Sequence, residues 1–323
     1  AVAWAEFHKW GFWGGNAGLT WDKANHTMLF GAEASRGEND RTWLYPATPP
    51  FSWQTEKRND WALYFNDTIK WEKLALIPGL RYDHLSIVDA STDDIISPSL
   101  GATYAVTGDT LLRATASRGF IRQAIGLVVG ELGYAGDPDL QPEDIWSLQA
   151  GVESTRFKKA HLKADVFYHQ QDKTWYWNDE LELYSNGGKA ERTGVEVNAD
   201  VSPLANVTAG LGLTYIWVAP YQEPGDDTYG LNLKLGYQGE WFGNLIFFGR
   251  YYWWNEHEMD PSGKNGNMIC ELHYNRDLIT FADTGTVLNL FLSVRNIFNS
   301  SNYIHEVFVN PDRWVQGGLR IRF

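Results

Sequence analysis

Leu162-Lys163-Ala164-Asp165-Val166-Phe167-Tyr168-His169-Gln170 reads as a strand with two unlike faces. Leu162, Ala164, Val166 and Tyr168 fall on one side, and Lys163, Asp165, Phe167 and His169 on the other. Successive side chains of an extended chain point to opposite faces, so a period of two marks a strand with one apolar face. The same period recurs along the chain. Leu231, Leu233, Leu235 and Tyr237 oppose Asn232, Lys234 and Gly236. Leu288, Leu290, Leu292 and Val294 oppose Asn289, Phe291, Ser293 and Arg295, and Gly317, Leu319, Ile321 and Phe323 oppose Gly318, Arg320 and Arg322. Helical periodicity is nearly absent, and the apolar face is almost free of charge. A soluble two-sheet sandwich would alternate too. The runs here are about 10 to 14 residues, longer than globular strands and suited to a tilted membrane crossing.

The links between runs also alternate. Short turns are expected at 22–25, 72–73, 107–109, 158–159, 202–206 and 239–243. Longer links are expected at 39–55, 120–144, 175–182, 220–228, 255–267 and 299–312. Short turns on one side and long loops on the other are the arrangement of an outer-membrane barrel. The spacing predicts a transmembrane antiparallel β-barrel of about sixteen strands, in a single domain over 1–323. An even number would place both termini on the short-turn side, the periplasm. Aromatics such as Trp71, Tyr104, Trp146, Tyr215, Trp241 and Trp314 cluster near expected strand ends, where rings with a polar tip suit a membrane interface.

Composition agrees without deciding. Mean hydropathy is −0.36, and the longest apolar runs, such as 124–129 and 245–248, fall far short of a membrane helix of roughly 20 residues. A membrane barrel shows the same average, because lipid-facing and lumen-facing residues alternate. The net charge of −13 argues against nucleic acid as a partner. One cysteine, Cys270, allows no internal disulfide and reads as a small packing residue. His257 with Glu256, Glu258 and Asp260 lacks the spacing of a zinc motif, so no metal site is assigned and no cofactor is expected. No nucleophile–base pair or Gly-rich phosphate loop stands out. The chain is not expected to be an enzyme.

Several stretches, in order, resemble the C-terminal barrel portion of TonB-dependent receptors. They are WALYFNDTIKWEKLALIPGLRYDHLS (61–86), with its Gly-x-Arg-Tyr-Asp element, and ISPSLGATYAVTGDTLLRATASRGF (96–120), with its Ser-Arg-Gly-Phe exit. GDPDLQPEDIWSLQAGVE (136–153), YSNGGKAERTGVEVNA (184–199), VRNIFNSSNY (294–303) and the terminal GGLRIRF follow. Before Trp61 only the general strand pattern is shared. The resemblance implies outer-membrane uptake of a scarce solute such as a metal chelate or cofactor. It implies an assembly signal at Phe323, read by the barrel-assembly machinery, and a surrounding lipid bilayer with lipopolysaccharide. Family members carry a plug domain, a TonB box and 22 strands. None of these is read here, so coupling to the TonB complex is implied only if a plug lies upstream. A plugless passive channel and a non-transport scaffold stay open as alternatives.

Two groups of residues are candidates for function. Arg81, Asp83, Arg113, Glu153, Lys163, Asp165, Arg192, Glu196, Lys234, Arg250, Arg295 and Arg320, together with Glu33 and Arg322, fall on the polar, lumen-facing side. There they line a solute path or form a cross-strand salt-bridge ladder. In the longer links, Trp43, Tyr45, Trp53, Trp175, Tyr176, Trp177, Trp253 and Trp254 stand near acids such as Asp179, Glu180 and Glu256. Aromatic platforms beside carboxylates suit capture of a cationic or metal-loaded ligand.

Overall fold

The computed structural model describes residues 5–44, 51–130, 135–219, 228–254, 266–300, 303–305, 308–309 and 311–323. Its strands are β1 (Ala5–Lys23), β2 (His26–Leu44), β3 (Phe51–Trp71), β4 (Leu74–Ile87), β5 (Ser91–Thr107), β6 (Thr110–Ile121), β7 (Glu143–Ser154), β8 (Ala160–Asn178) and β9 (Leu183–Leu204). There follow β10 (Val207–Ala219), β11 (Thr228–Gly239), β12 (Gly243–Trp254), β13 (Gly266–Thr280), β14 (Val287–Arg295), β15 (Tyr303–His305), β16 (Phe308–Val309) and β17 (Trp314–Arg322). One short helix, α1 (Ile125–Val129), interrupts the series. Fifteen strands form one antiparallel sheet in sequence order, with β17 beside β14, and β15 and β16 make a separate two-stranded pair. Among the described residues the sheet therefore holds fifteen strands against the sixteen or so expected.

The chain divides into two compact units, one of residues 1–104, 113–148 and 169–190 and the other of 105–112, 149–168 and 191–323. In the first, β1 to β5 are joined by long registers, with Ala5 opposite Leu44 at one end of the first hairpin and Lys23 opposite His26 at the other. The turn between them needs only Ala24 and Asn25, and Ala24 takes a positive φ of 54°. Two-residue turns with positive φ match the right-handed twist of the strands they join. In the second unit, β9 to β14 and β17 pair in the same meander. β1 begins beside Leu44, at the end with the 45–50 link. β17 ends with Arg322 beside Val287, next to the short 281–286 link. The odd number of strands in the sheet departs from the even number on which the placing of both termini rested.

One face of each unit is apolar and open. On β3, β4 and β5 the register aligns Trp71 with Leu74 and Leu74 with Tyr104, and further along it aligns Trp61 with His84 and His84 with Asp94. Between these rows lie Leu63, Leu80, Ile96 and Leu100, all with large exposed apolar side chains. The rows are ten residues apart along β3. At about 3.4 Å per residue and a tilt of about 40°, the belt is about 25 Å tall, the hydrocarbon span of an outer-membrane barrel. In the second unit Leu211, Leu213, Leu235, Leu319 and Ile321 continue the same pattern.

Several charges on this face stand toward the long-link rim and are paired. Asp94 accepts from the Tyr82 hydroxyl at 2.6 Å and contacts His84 Nδ1 at 2.8 Å, and Arg118 forks onto Asp144 at 2.8 and 2.6 Å. Others, such as Arg276 on β13, stand nearer the short turns, and so does Asp67. It is buried and held by His26 Nδ1 at 2.6 Å.

The strands outrun the expected 10 to 14 residues. β1 and β2 have 19 residues, β3 has 21 and β9 has 22. Where a hairpin rises past the belt both faces meet water. The hydropathy period then fades while backbone pairing continues. Segments read as links are for that reason strand: Trp43 lies in β2, Trp53 in β3, Trp175, Tyr176 and Trp177 in β8, and Trp253 and Trp254 in β12. Tyr45 and His257 lie outside the described residues.

The 120–144 link holds its own structure. Ile125 and Val128 of α1 bury with Leu140 against Ile87 of β4, and Trp175 packs alongside. Gly130 ends the helix at φ 90°, its N–H bonded to the Gly126 carbonyl at 2.9 Å. No helix of the described residues is long and apolar enough to cross a membrane.

Candidate functional site

The polar face carries the chemistry, and the structure separates its charges into engaged and open ones. In the first unit, Arg81 grips Asp83 on its own strand, Nε at 2.9 Å and Nη2 at 2.8 Å, and also pairs with Glu33 across β3. Asp83 is buried, so its charge depends on that grip. The Arg81 guanidinium lies 5.8 Å from the Tyr64 ring. Arg58 meets Asp60 at 3.0 Å, and Arg122, entering from the 120–144 link, pairs with the same carboxylate. Gln123 beside it donates to Asp93 at 3.0 Å and to the Leu140 carbonyl at 3.1 Å. Glu33, Asp60, Arg81, Asp83 and Arg122 border a cavity of about 560 Å³ that also reaches Asn16, Ser35 and Phe120.

In the second unit several expected lumen charges are paired in the same way. Lys163 stands 3.5 Å from the buried Asp165, and Glu153 meets His161 at 2.8 Å. Glu271 contacts His273 at 3.1 Å and Arg295 at 3.9 Å, and Arg295 also covers the Trp314 ring at 4.7 Å. Arg320 stacks over Phe291 at 5.3 Å, and Arg322 forks onto Asp277 at 2.8 and 2.9 Å. Arg113 is partly buried on β6. Lys163, Glu153, Arg295 and Arg322 are thus held in ion pairs, and Arg320 by a ring.

β9 to β12 differ. Asp200 of β9, Gly210 of β10, Lys234 of β11 and Phe248 of β12 share one register row, and Asn198, Gly212, Asn232 and Arg250 share the next. Gly210 and Gly212 remove side chains from the middle strand and leave a trough with polar walls, about 420 Å³ in volume. Arg192 and Glu196 lie further along β9. The side chains of Arg192, Glu196, Asn198, Asp200, Asn232 and Arg250 make no hydrogen bond or ion pair with a described residue, and Lys234 has only the Phe248 ring at 5.9 Å. A second cavity, about 430 Å³, shares Asp200, Gly210 and Lys234 and continues toward Lys159 and His161.

The aromatic candidates scatter. Trp175 serves the fold: its ring N–H donates to the Gln141 carbonyl at 2.9 Å and its backbone N–H to Glu143 at 2.8 Å. Trp177 meets Tyr184 edge-on at 5.4 Å, and Tyr176 lies against Gly187. Trp253 joins Tyr229 and Tyr215 in a run of rings on the apolar face, 5.0 and 4.7 Å apart, which is the place of an interface belt. The residues that sequence reading missed are Asn198, Asp200 and Asn232. Charge drew attention to Lys234 and Arg250, while the flanking amides and central glycines look ordinary until register aligns them.

Residues 4–302 match the family model described as "TonB dependent receptor-like, beta-barrel". The chain belongs to the TonB-dependent receptor-like β-barrel family. The match starts well before Trp61, where the sequence shows only strand pattern, and ends ahead of the GGLRIRF stretch. Among curated proteins no sequence matches. Solved structures similar to this TonB-dependent receptor-like barrel include the FrpB iron transporter from Neisseria meningitidis (TM-score 0.77, 14% identity, 97% of this chain and 55% of that one). They include the copper transporter OprC (0.79, 15%, 97% and 56%) and the siderophore receptor PirA from Pseudomonas aeruginosa (0.70, 18%, 98% and 56%). The chain thus spans a little over half the length of the structures it matches. They are named as transporters and receptors, not enzymes, and at these identities the likeness is one of fold.

Proposed function

We propose that this chain forms, as one barrel domain over 1–323, the wall of an outer-membrane uptake route for a scarce solute such as a metal chelate or cofactor. The observation that carries the reading is the pairing of an apolar belt about 25 Å tall with an opposite face on which Arg192, Glu196, Asp200 and Arg250 make no hydrogen bond or ion pair with described residues. Lipid on one side and water on the other account for both. The solute passes along the polar face, and the aromatics Trp43, Trp53, Tyr176 and Trp254 of the long strands contribute, with Tyr45 of the neighbouring link. The long-link end faces outward. The short turns and Phe323 face the periplasm, and Phe323 serves as the recognition end for the barrel-assembly machinery. The rim of Trp61, His84, Asp94 and Arg118 meets lipopolysaccharide. Energy coupling through the TonB complex requires a plug encoded with the barrel.

Uptake tests the proposal. Cells lacking the protein should lose accumulation of at least one of a panel of radiolabelled ferric and cupric chelates and corrinoids, with recovery on re-expression. Unchanged accumulation across the panel, with the chain folded in the outer membrane of the parent cells, defeats the reading.

A further inference from the structure

Arg276 of β13 stands on the apolar face without a carboxylate. Register sets it beside Leu290 of β14, and Leu290 beside Leu319 of β17. Its guanidinium makes no hydrogen bond or ion pair with a described residue and has the Trp241 ring 5.5 Å away. Arg118, on this kind of face toward the long links, has Asp144 at 2.6 Å. Asp277, next in sequence to Arg276, lies on the polar face and is taken by Arg322 and Asn289. Glu240, next to Trp241, is exposed and bonds to no described residue. The level of the guanidinium follows from Trp241, which lies in the short turn between β11 and β12 and is 79% exposed. That turn is held in place. Tyr274 donates its hydroxyl to the Phe242 carbonyl at 2.7 Å, and the Phe242 ring meets Tyr274 and Tyr237 edge-on. Gly243 has a φ of 94°, and a Cβ there would come within 2.8 Å of Arg276 Cβ, so the glycine leaves room for the arginine stem. The charge thus reaches the headgroup layer, where a lipid-facing arginine costs little.

We infer that Arg276 and Trp241 bind the phosphodiester of a membrane phospholipid, in the leaflet at the short-turn end. A ring stabilises the cation and leaves its N–H fork for phosphate oxygens, which the fork matches two at a time. The phosphate supplies the counter-charge that no described side chain gives, and the acyl chains lie along Leu290 and Leu319. A free inorganic phosphate would have no use for that apolar wall. In the first unit Lys23 lies 5.6 Å from the Trp21 ring at its own short turn, but it stands opposite His26, which holds the acid Asp67. Arg276 has no such acid paired beside it. The inference rests on the reading of the apolar face as lipid-facing.

The test is native mass spectrometry of the full chain, folded in lauryl dimethylamine oxide and mixed with one lipid at a time. Dioleoylphosphatidylglycerol is the probe, with dioleoylglycerol as its phosphate-free counterpart and lipid A as the phosphate of the other leaflet. The chain should retain dioleoylphosphatidylglycerol and release dioleoylglycerol. Arg276→Gln should weaken retention by about tenfold, the loss of a charge-assisted hydrogen-bonded pair. Arg276→Lys, which keeps the charge and loses the fork, should fall between. Heat-modifiable gel migration establishes that each variant is folded. Retention of dioleoylglycerol equal to that of the phospholipid overturns the inference, as does retention unchanged in Arg276→Gln. A preference for lipid A that Arg276→Gln removes overturns the assignment to phospholipid. Insertion of the unaltered chain into phosphatidylcholine vesicles is measured beside it. A chain that inserts but retains no phospholipid defeats this site alone, and one that fails to insert defeats the membrane reading as well.

Discussion

The ring of Tyr64 on β3 lies directly over Gly31 on β2, occupying the space a Cβ would need. Glycine leaves a strand without a side chain to pack, and an aromatic from the neighbouring strand covers the gap. Replacing Gly31 with Val should push the ring off and disturb Arg81, which borders the same ring. Overpacking of this kind costs about 1–3 kcal/mol. The expected result is a lower urea midpoint in unfolding from micelles, with no loss in Tyr64→Ala/Gly31→Val relative to Tyr64→Ala alone.

Removing Arg81 should be worse than removing its partner as well. Arg81→Ala leaves Asp83 buried with an uncompensated charge, a penalty of about 3–5 kcal/mol. Asp83→Asn in the same chain should restore much of it. Equal destabilisation of the single and double variants would refute the pairing.

Depth in the belt sets the cost of a lipid-facing charge. Leu80 lies near mid-belt between Phe65 and Pro98, and Leu74 lies in the Trp71–Tyr104 row. Leu80→Arg should destabilise by about 2–4 kcal/mol and Leu74→Arg by about 0–1 kcal/mol. Refolding titrations into phospholipid vesicles measure both, and similar costs would remove the case for a membrane belt.

The segment around α1 is predicted to loosen by itself. Val128, 2% exposed, packs with Ile87, Ile125 and Leu140. Val128→Asp buries a charge there, and limited trypsin digestion should then cut at Arg122 in the folded chain while the sheet's amide-exchange protection is kept. Uniform loss of protection would show that the segment is integral to the sheet.

Much of the belt was legible because the period of two is imposed by lipid on one side. Leu162, Ala164 and Val166 alternate with Lys163 and Asp165 over a run long enough for a membrane crossing. The extensions that carry Trp43, Trp175 and Trp253 were not legible, since the alternation of polar and apolar residues fades there. The helix at 125–129 was seen only as a short apolar run, and five residues are too few to show a turn repeat. Lys234 and Arg250 were found from charge. Their setting was not, because a trough made by Gly210, Gly212 and two amides depends on the register between successive strands, which the alternation alone does not fix.

The anchoring of 122–143 changes what that stretch is good for. Arg122 and Gln123 fasten one end to β3 and β5, and Gln141 fastens the other to Lys173 and Asn186. An epitope tag or grafted peptide spliced there would have to evict a packed cluster. The Gly108–Asp109 turn, whose Gly108 has open space around it, is the better port for such an insertion.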